Sequence, residues 1–207
     1  NTGSVAQRLA DTPGVARTIL DAARAARGMA GADPRAMSHS WLFTGPPGSG
    51  RSLAALDFAA ALMCTDPEEP GCGRCEACQA VLGAKQHTDL VLVDPQEVII
   101  PVDTVREVIG RAASLPTVAP WRVVIFNNAD RLTNNGANAL LKTVEEPPAR
   151  TVIIMCAPSD APEDFSQTLR SRCRHLYIPS PSVESITAQL VSEGASDHDA
   201  HLAALTS

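Results

Sequence analysis

The sequence predicts an α/β protein: a doubly wound, mostly parallel five-stranded sheet, with a cysteine-bearing insertion and the start of a small helical domain. Three observations predict it. Short apolar runs alternate with stretches of helical periodicity, the pattern of stacked βαβ units. Gly45-Pro46-Pro47-Gly48-Ser49-Gly50-Arg51-Ser52 has the spacing of G-x-x-x-x-G-K-[ST], between an expected strand and an expected helix. Cys64, Cys72, Cys75 and Cys78 then follow at metal-ligand spacing.

The elements follow in order. Val5 to Arg27 reads as one amphipathic, Ala/Arg-rich helical stretch, and Gly28 to Ser38 as a loop. Trp41-Leu42-Phe43 is a buried strand feeding the Gly-rich loop. Ser52 to Met63 is almost free of charge and rich in helix formers, so a buried helix is expected. Thr65 to Gly73 breaks the pattern with prolines and glycines. Leu90 to Val93 is the second strand. Val102 to Ala113 has apolar residues at helical spacing after Pro101, with Asp103 near its start. Val123 to Phe126 is the third strand, and Ala137 to Val144 a helix closed by Pro147-Pro148. Val152 to Met155 is the fourth strand, and Thr168 to Arg174 leads into a fifth, Leu176-Tyr177-Ile178.

Pro179-Ser180-Pro181 reads as a boundary, giving residues 1–180 as a phosphate-loop domain with its cysteine module at about 64–80. Residues 181–207 read as two short helices, too few to form a stable domain alone. They are expected to be the truncated beginning of a second domain. The start Asn1-Thr2-Gly3 lacks a methionine and has no signal-peptide pattern, so it reads as a scar of expression and the location as cytoplasmic. No apolar run is long enough to span a bilayer.

Seventeen basic against twenty-three acidic side chains give a net charge of −6, which argues against nucleic-acid binding through the overall field. A local basic patch is still compatible with it. The six cysteines of a cytoplasmic chain are read as thiols or metal ligands rather than a disulfide framework.

Glycines at 45, 48 and 50 let the backbone wrap an anion with its amides, and the following helix adds the positive end of its dipole. Ser52 supplies a hydroxyl where magnesium would be held. Arg51 stands where the motif has lysine, and a planar fork does not replace a compact ammonium at such a site. The third strand ends in Asn127-Asn128, where a working site needs one carboxylate to orient magnesium and another to polarise water. Neutral amides do neither. Asp130 lies too far past the strand end to substitute. ATP–Mg2+ binding is thereby placed in doubt, and no intrinsic hydrolysis is expected.

Cys64, Cys72, Cys75 and Cys78 read C-x7-C-x2-C-x2-C. Four thiolates close a tetrahedral shell, so Zn2+ is expected as a structural ion, with an iron–sulfur cluster or free thiols as the alternatives. Cys156 and Cys173 have no partners at ligand spacing and read as buried small residues. His39, His87, His175, His198 and His201 form no constellation.

Asn138-Ala139-Leu140-Leu141-Lys142-Thr143-Val144-Glu145-Glu146-Pro147-Pro148 is similar to a signature of bacterial clamp-loader subunits of the AAA+ group. Other pieces fall in order around it. Gly45 to Ser52 resembles the Walker A loop, the cysteines resemble the family's zinc module, and Ile100 to Glu107 resembles the helix before the Walker B strand. Thr168-Leu169-Arg170-Ser171-Arg172-Cys173 resembles the Ser-Arg-Cys motif. The resemblance covers about residues 40 to 180, with the start of a lid domain after it.

It implies a subunit of the DNA polymerase III clamp loader, which opens the sliding clamp and places it on primed DNA. The hydrolysing gamma/tau subunit keeps lysine in Walker A and Asp-Glu in Walker B, and this chain departs at both. The delta subunit lacks the zinc module and the arginine motif. What remains is a catalytically degenerate member of the hetero-pentamer. The resemblance then implies that Arg172 is an arginine finger, supplied in trans to a neighbour's ATP site. Cys156-Ala157-Pro158-Ser159 departs from the family's sensor run. Arg106 and Arg111 are candidates for phosphate-backbone contacts, which a solvated helix face explains equally well. Two rival readings stay open: an active gamma/tau-like ATPase, and a zinc-dependent nucleic-acid-binding module with a relic loop.

Overall fold

Strand side chains point alternately to the two faces of a sheet. Here both faces are apolar. Trp41, Phe43, Val123, Ile125, Val152, Ile154 and Cys156 enter one buried cluster, while Leu42, Val124, Phe126, Ile153, Met155 and Ala157 enter the other. A sheet covered on both faces reads as continuous apolar runs, and such sheets are parallel.

The computed structural model describes residues 2–192, 194 and 196–206. In chain order the elements are α1 (Val5–Arg8), α2 (Pro13–Ala26), β1 (Ser40–Thr44), α3 (Arg51–Met63), α4 (Glu76–Gln79), β2 (Leu90–Val93), α5 (Val102–Ala112), β3 (Arg122–Phe126), α6 (Asn134–Glu145), β4 (Thr151–Ala157), α7 (Gln167–Arg170), β5 (Arg174–Tyr177), α8 (Val183–Ser192) and α9 (Asp197–Thr206). The sheet runs β2-β3-β4-β1-β5, and every pairing is parallel. Leu42 lies opposite Met155 of β4 on one side and His175 of β5 on the other. Helices α1, α2 and α3 cover one face, and α5, α6 and α7 the other. Helices α8 and α9 pack on each other after β5. No helix among the described residues is long and apolar enough to cross a membrane.

The five-stranded parallel sheet matches the expectation, and several boundaries shift, three of them for a local reason. The stretch Val5 to Arg27 is two helices: Pro13 sits at the first position of α2, where its missing N–H costs nothing, and the chain turns before it. Helix α6 begins at Asn134 rather than Ala137, because the Thr133 hydroxyl accepts from the Gly136 amide at 3.0 Å and caps the first turn. Strand β5 starts at Arg174 rather than Leu176, as an edge strand whose first residues, the exposed Arg174 and half-buried His175, are polar instead of apolar. Asn1 and Ser207, parts of the readings of the two termini, lie outside the described residues.

Asp89, wholly buried before β2, ties the 113–121 connection to the bottom of the sheet. Its carboxylate accepts from the amides of Thr117 (2.8 Å), Val118 (2.8 Å) and Ala119 (2.7 Å) and from Arg122 Nη2 (3.4 Å). Burial pushes its carboxyl up, but these donors outweigh that and hold it below the ordinary range.

Candidate functional site

Strand β1 delivers the chain to Gly45, the loop turns through Gly50, and α3 begins at Arg51. Gly48 and Gly50 both have φ +82°, the left-handed conformation that glycine adopts without penalty. A Cβ on Gly45 would stand 2.4 Å from Ser49 Oγ and 2.5 Å from the Ile178 carbonyl. The loop encloses a hollow of about 150 Å3 lined by residues 46–53. Ser52 is half-buried at the rim of this hollow. Arg51 does not reach over it: Nη1 turns back and donates to the Gly45 carbonyl at 2.5 Å. The buried Ser49 hydroxyl has no hydrogen-bond partner among the described residues.

The end of β3 supplies no carboxylate. Asn127 is 8% exposed, its amide donates to the Val93 carbonyl at 2.9 Å, and its Oδ1 is buried without a partner. Asn128 takes φ +52° and turns the chain into a short 3-10 helix, Ala129–Arg131. Asp130 is exposed on that helix.

Beside the loop lies a second hollow of about 510 Å3, whose wall includes Arg8, Asp57, Gly48, Ser49 and the 178–182 segment. Asp57 is 3% exposed, and Arg8 Nε donates to it at 2.6 Å. Burial pushes its carboxyl up to about 6, against the pull of the Arg8 guanidinium. Sequence reasoning missed this pair; the signal was a single acid inside an otherwise apolar helix.

Arg172 stands apart from the loop, just after α7. That helix is anchored by the buried Leu169 and by an ion pair between Arg170 and Asp160 at 3.0 Å. Arg172 Nε donates to Glu145, the last residue of α6. Its Nη1 donates to the Thr168 carbonyl (2.8 Å) and to Ser171 Oγ (3.0 Å). Glu145 was in view as part of the quoted signature, but only the fold brings it to an arginine 27 residues away. His175 is not isolated either: its Nε2 lies 2.5 Å from Thr44 Oγ1 and its Nδ1 3.7 Å from Asp160. Arg106 and Arg111 are exposed on α5, with Arg106 3.5 Å from Asp103.

The four cysteines converge. The sulfurs of Cys64, Cys72, Cys75 and Cys78 all lie within 4.8 Å of one another, and Cys75 Sγ is 3.9 Å from Cys64 Sγ. A tetrahedron with ~2.3 Å Zn–S bonds has edges of about 3.8 Å, so the group fits one such ion without rebuilding. The separation leaves no room for the bridging sulfides of a cluster. Backbone amides already point at the sulfurs: Asp66 (3.4 Å) and Cys72 (3.5 Å) at Cys64, Arg74 (3.4 Å) and Cys75 (3.3 Å) at Cys72, and Cys78 (3.4 Å) at Cys75. Cys64 is pulled down to about 4, chiefly by the hydrogen bond from the Cys78 thiol, while Cys78 is pushed up by the same contact. Amide donors of this kind favour thiolate ligands. The N-terminal segment closes over this module. Val5 N donates to the Gly71 carbonyl at 2.8 Å, and a Cβ on Gly73 (φ +72°) would meet the Gly3 carbonyl at 2.0 Å. Cys156 is fully buried, Cys173 half-buried, and burial pushes both thiols up to about 12.

Known proteins resemble this chain in sequence and in fold. The family described as DNA polymerase III, delta subunit, matches residues 30–182. The DNA polymerase III subunit delta' of Pseudomonas aeruginosa is 36% identical over 165 residues, 76% of this chain and 49% of that protein. The gamma/tau subunit of Mycobacterium tuberculosis H37Rv is 34% identical over 166 residues, 78% of this chain and 28% of that protein. The chain thus spans about half the length of that delta' relative. Among solved structures, the RuvB Holliday junction branch migration motor of Thermotoga maritima superposes over 93% of this chain and 55% of its own, with a TM-score of 0.55 and 16% identity. That likeness speaks for the fold alone.

Proposed function

The chain belongs to the family described as DNA polymerase III, delta subunit, and we propose that it serves a clamp loader as its non-hydrolysing delta' subunit. Its phosphate loop is a degenerate scaffold, and its Arg172 is an arginine finger for the ATP site of an adjacent gamma/tau subunit. The complex, with a delta subunit, would open the sliding clamp and load it on primed DNA. Zinc at Cys64, Cys72, Cys75 and Cys78 would be structural, bracing the 64–84 segment and leaving no open coordination position.

One observation carries the reading: β3 is followed by Asn127 and Asn128, and the next acid along the chain, Asp130, is exposed. Without carboxylates there, nothing orients magnesium or takes a proton from water. Arg51, folded on the Gly45 carbonyl, is consistent with a loop that has lost its cation role. Phosphate-charge stabilisation by Arg172 is chemistry that one guanidinium can supply to a site whose other parts lie elsewhere.

The test is ATP turnover. The isolated chain is expected to show none above background. The assembled complex is expected to turn over ATP, and Arg172→Ala is expected to slow it while this subunit still folds and assembles. Unchanged turnover in the complex would remove the finger assignment. The 34% identity to gamma/tau favours a second reading, an ATPase with unusual loop residues. That reading requires turnover by the lone chain, lost in Ser52→Ala.

A further inference from the structure

The guanidinium of Arg172 is neither loose nor fully engaged. Nε is held by the Glu145 carboxylate, and Nη1 by the Thr168 carbonyl at 2.8 Å and by Ser171 Oγ at 3.0 Å. Two of these acceptors belong to the arginine's own turn. Glu145 comes from a different helix, α6, and among the described contacts it is the only charged group on Arg172. Nη2 makes no hydrogen bond among the described residues and is the edge left for an outside anion.

We propose that Glu145 is a positioning residue: it clamps Arg172 so that the Nη2 edge is presented to a neighbour's phosphate. This rests on the finger reading above. An arginine on a surface loop samples many rotamers, and a donor fixed in advance stabilises developing charge without reorganisation during the reaction. A charge-assisted bond from Nε sets the plane of the fork, which the neutral acceptors on Nη1 alone do not fix from the α6 side. As an exposed ion pair, with the two side chains 35% and 47% exposed, the contact does little for stability. Its effect is geometric.

The experiment is steady-state ATP hydrolysis by the assembled complex carrying Glu145→Ala, Glu145→Gln, Arg172→Ala, or Arg172→Ala with Glu145→Ala. Glu145→Ala is expected to lower kcat about tenfold with KM unchanged. Glu145→Gln, which keeps an acceptor for Nε, should recover most of the loss. The double variant should be no slower than Arg172→Ala, because Glu145 acts only through the arginine. If Arg172→Ala slows turnover but Glu145→Ala does not, the positioning role is wrong and the finger stands. If both glutamate variants speed turnover, Glu145 masks the finger and the proposal is overturned. Should Arg172→Ala itself leave turnover unchanged, the finger reading fails first, and the proposal fails with it.

Discussion

Two arginines of this molecule, one in the Gly-rich loop and one just after α7, are held in opposite ways. Arg51, inside the phosphate loop, turns inward and satisfies the carbonyl of Gly45 six residues back. Arg172, just after α7, is held by Glu145 of α6 and by two acceptors of its own turn, and its Nη2 makes no hydrogen bond among the described residues. The difference lies in the surroundings rather than in the side chain. Arg51 is spent on a backbone carbonyl of its own loop, and β3 is followed by the neutral Asn127 and Asn128. Arg172 stands on a turn anchored by the buried Leu169 and the Arg170–Asp160 pair.

The sharpest way to break the contrast is to remove each arginine in the assembled complex. Arg172→Ala is expected to cut ATP turnover on the order of 10³-fold, the scale of fingers supplied in trans. Arg51→Ala should change it by less than about twofold, since a scaffold without carboxylates has little electrostatic catalysis to lose. Equal losses would erase the distinction.

Next in size is the cysteine module. Chelation, or Cys75→Ser, is expected to cost several kcal/mol of folding stability, on the order seen when a metal shell is lost. Thermal unfolding with metal content measured on the same sample checks it. An unchanged melting temperature would mean that the thiols hold no structural ion.

A smaller effect concerns Asp57. Its folded carboxyl sits near 6 against an ordinary 3.8. The folded state therefore binds a proton more tightly than the unfolded chain. The stabilisation is complete below the unfolded value and is lost as pH rises through 6. Relative to wild type, Asp57→Asn should gain about 2 kcal/mol on moving from pH 4.5 to pH 7.5. Paired urea titrations at the two pH values test this. A difference of opposite sign would mean that the Arg8 ion pair outweighs burial. Asp89 is the control, because its carboxyl is held down and its contribution is lost only in more acidic solution.

Much of this was legible in the residues. The five strands and their parallel pairing follow from alternating short apolar runs and helical periods, because a doubly covered sheet admits few other patterns. The phosphate loop and the four-cysteine group were readable since both are local: their spacing alone places backbone amides or sulfurs together. The pairs that define the site's character were not readable. Arg8–Asp57 joins residues 49 apart, Arg172–Glu145 residues 27 apart and Thr44–His175 residues 131 apart. Nothing in period or spacing encodes such meetings, which depend on how layers stack. The inward turn of Arg51 was equally hidden, for it is a rotamer choice. Boundaries slipped where a cap or a proline outvoted propensity, as at Thr133 and Pro13.

Helix α3 runs without an interior glycine or proline from the phosphate loop to Met63, and Cys64 follows immediately. At 1.5 Å per residue its thirteen residues form a rod of about 20 Å, with ten of them buried. Such a rod does not bend to absorb a strain at one tip. The Gly-rich loop and the first of the four converging cysteines are therefore mounted on the two tips of one stiff, buried element.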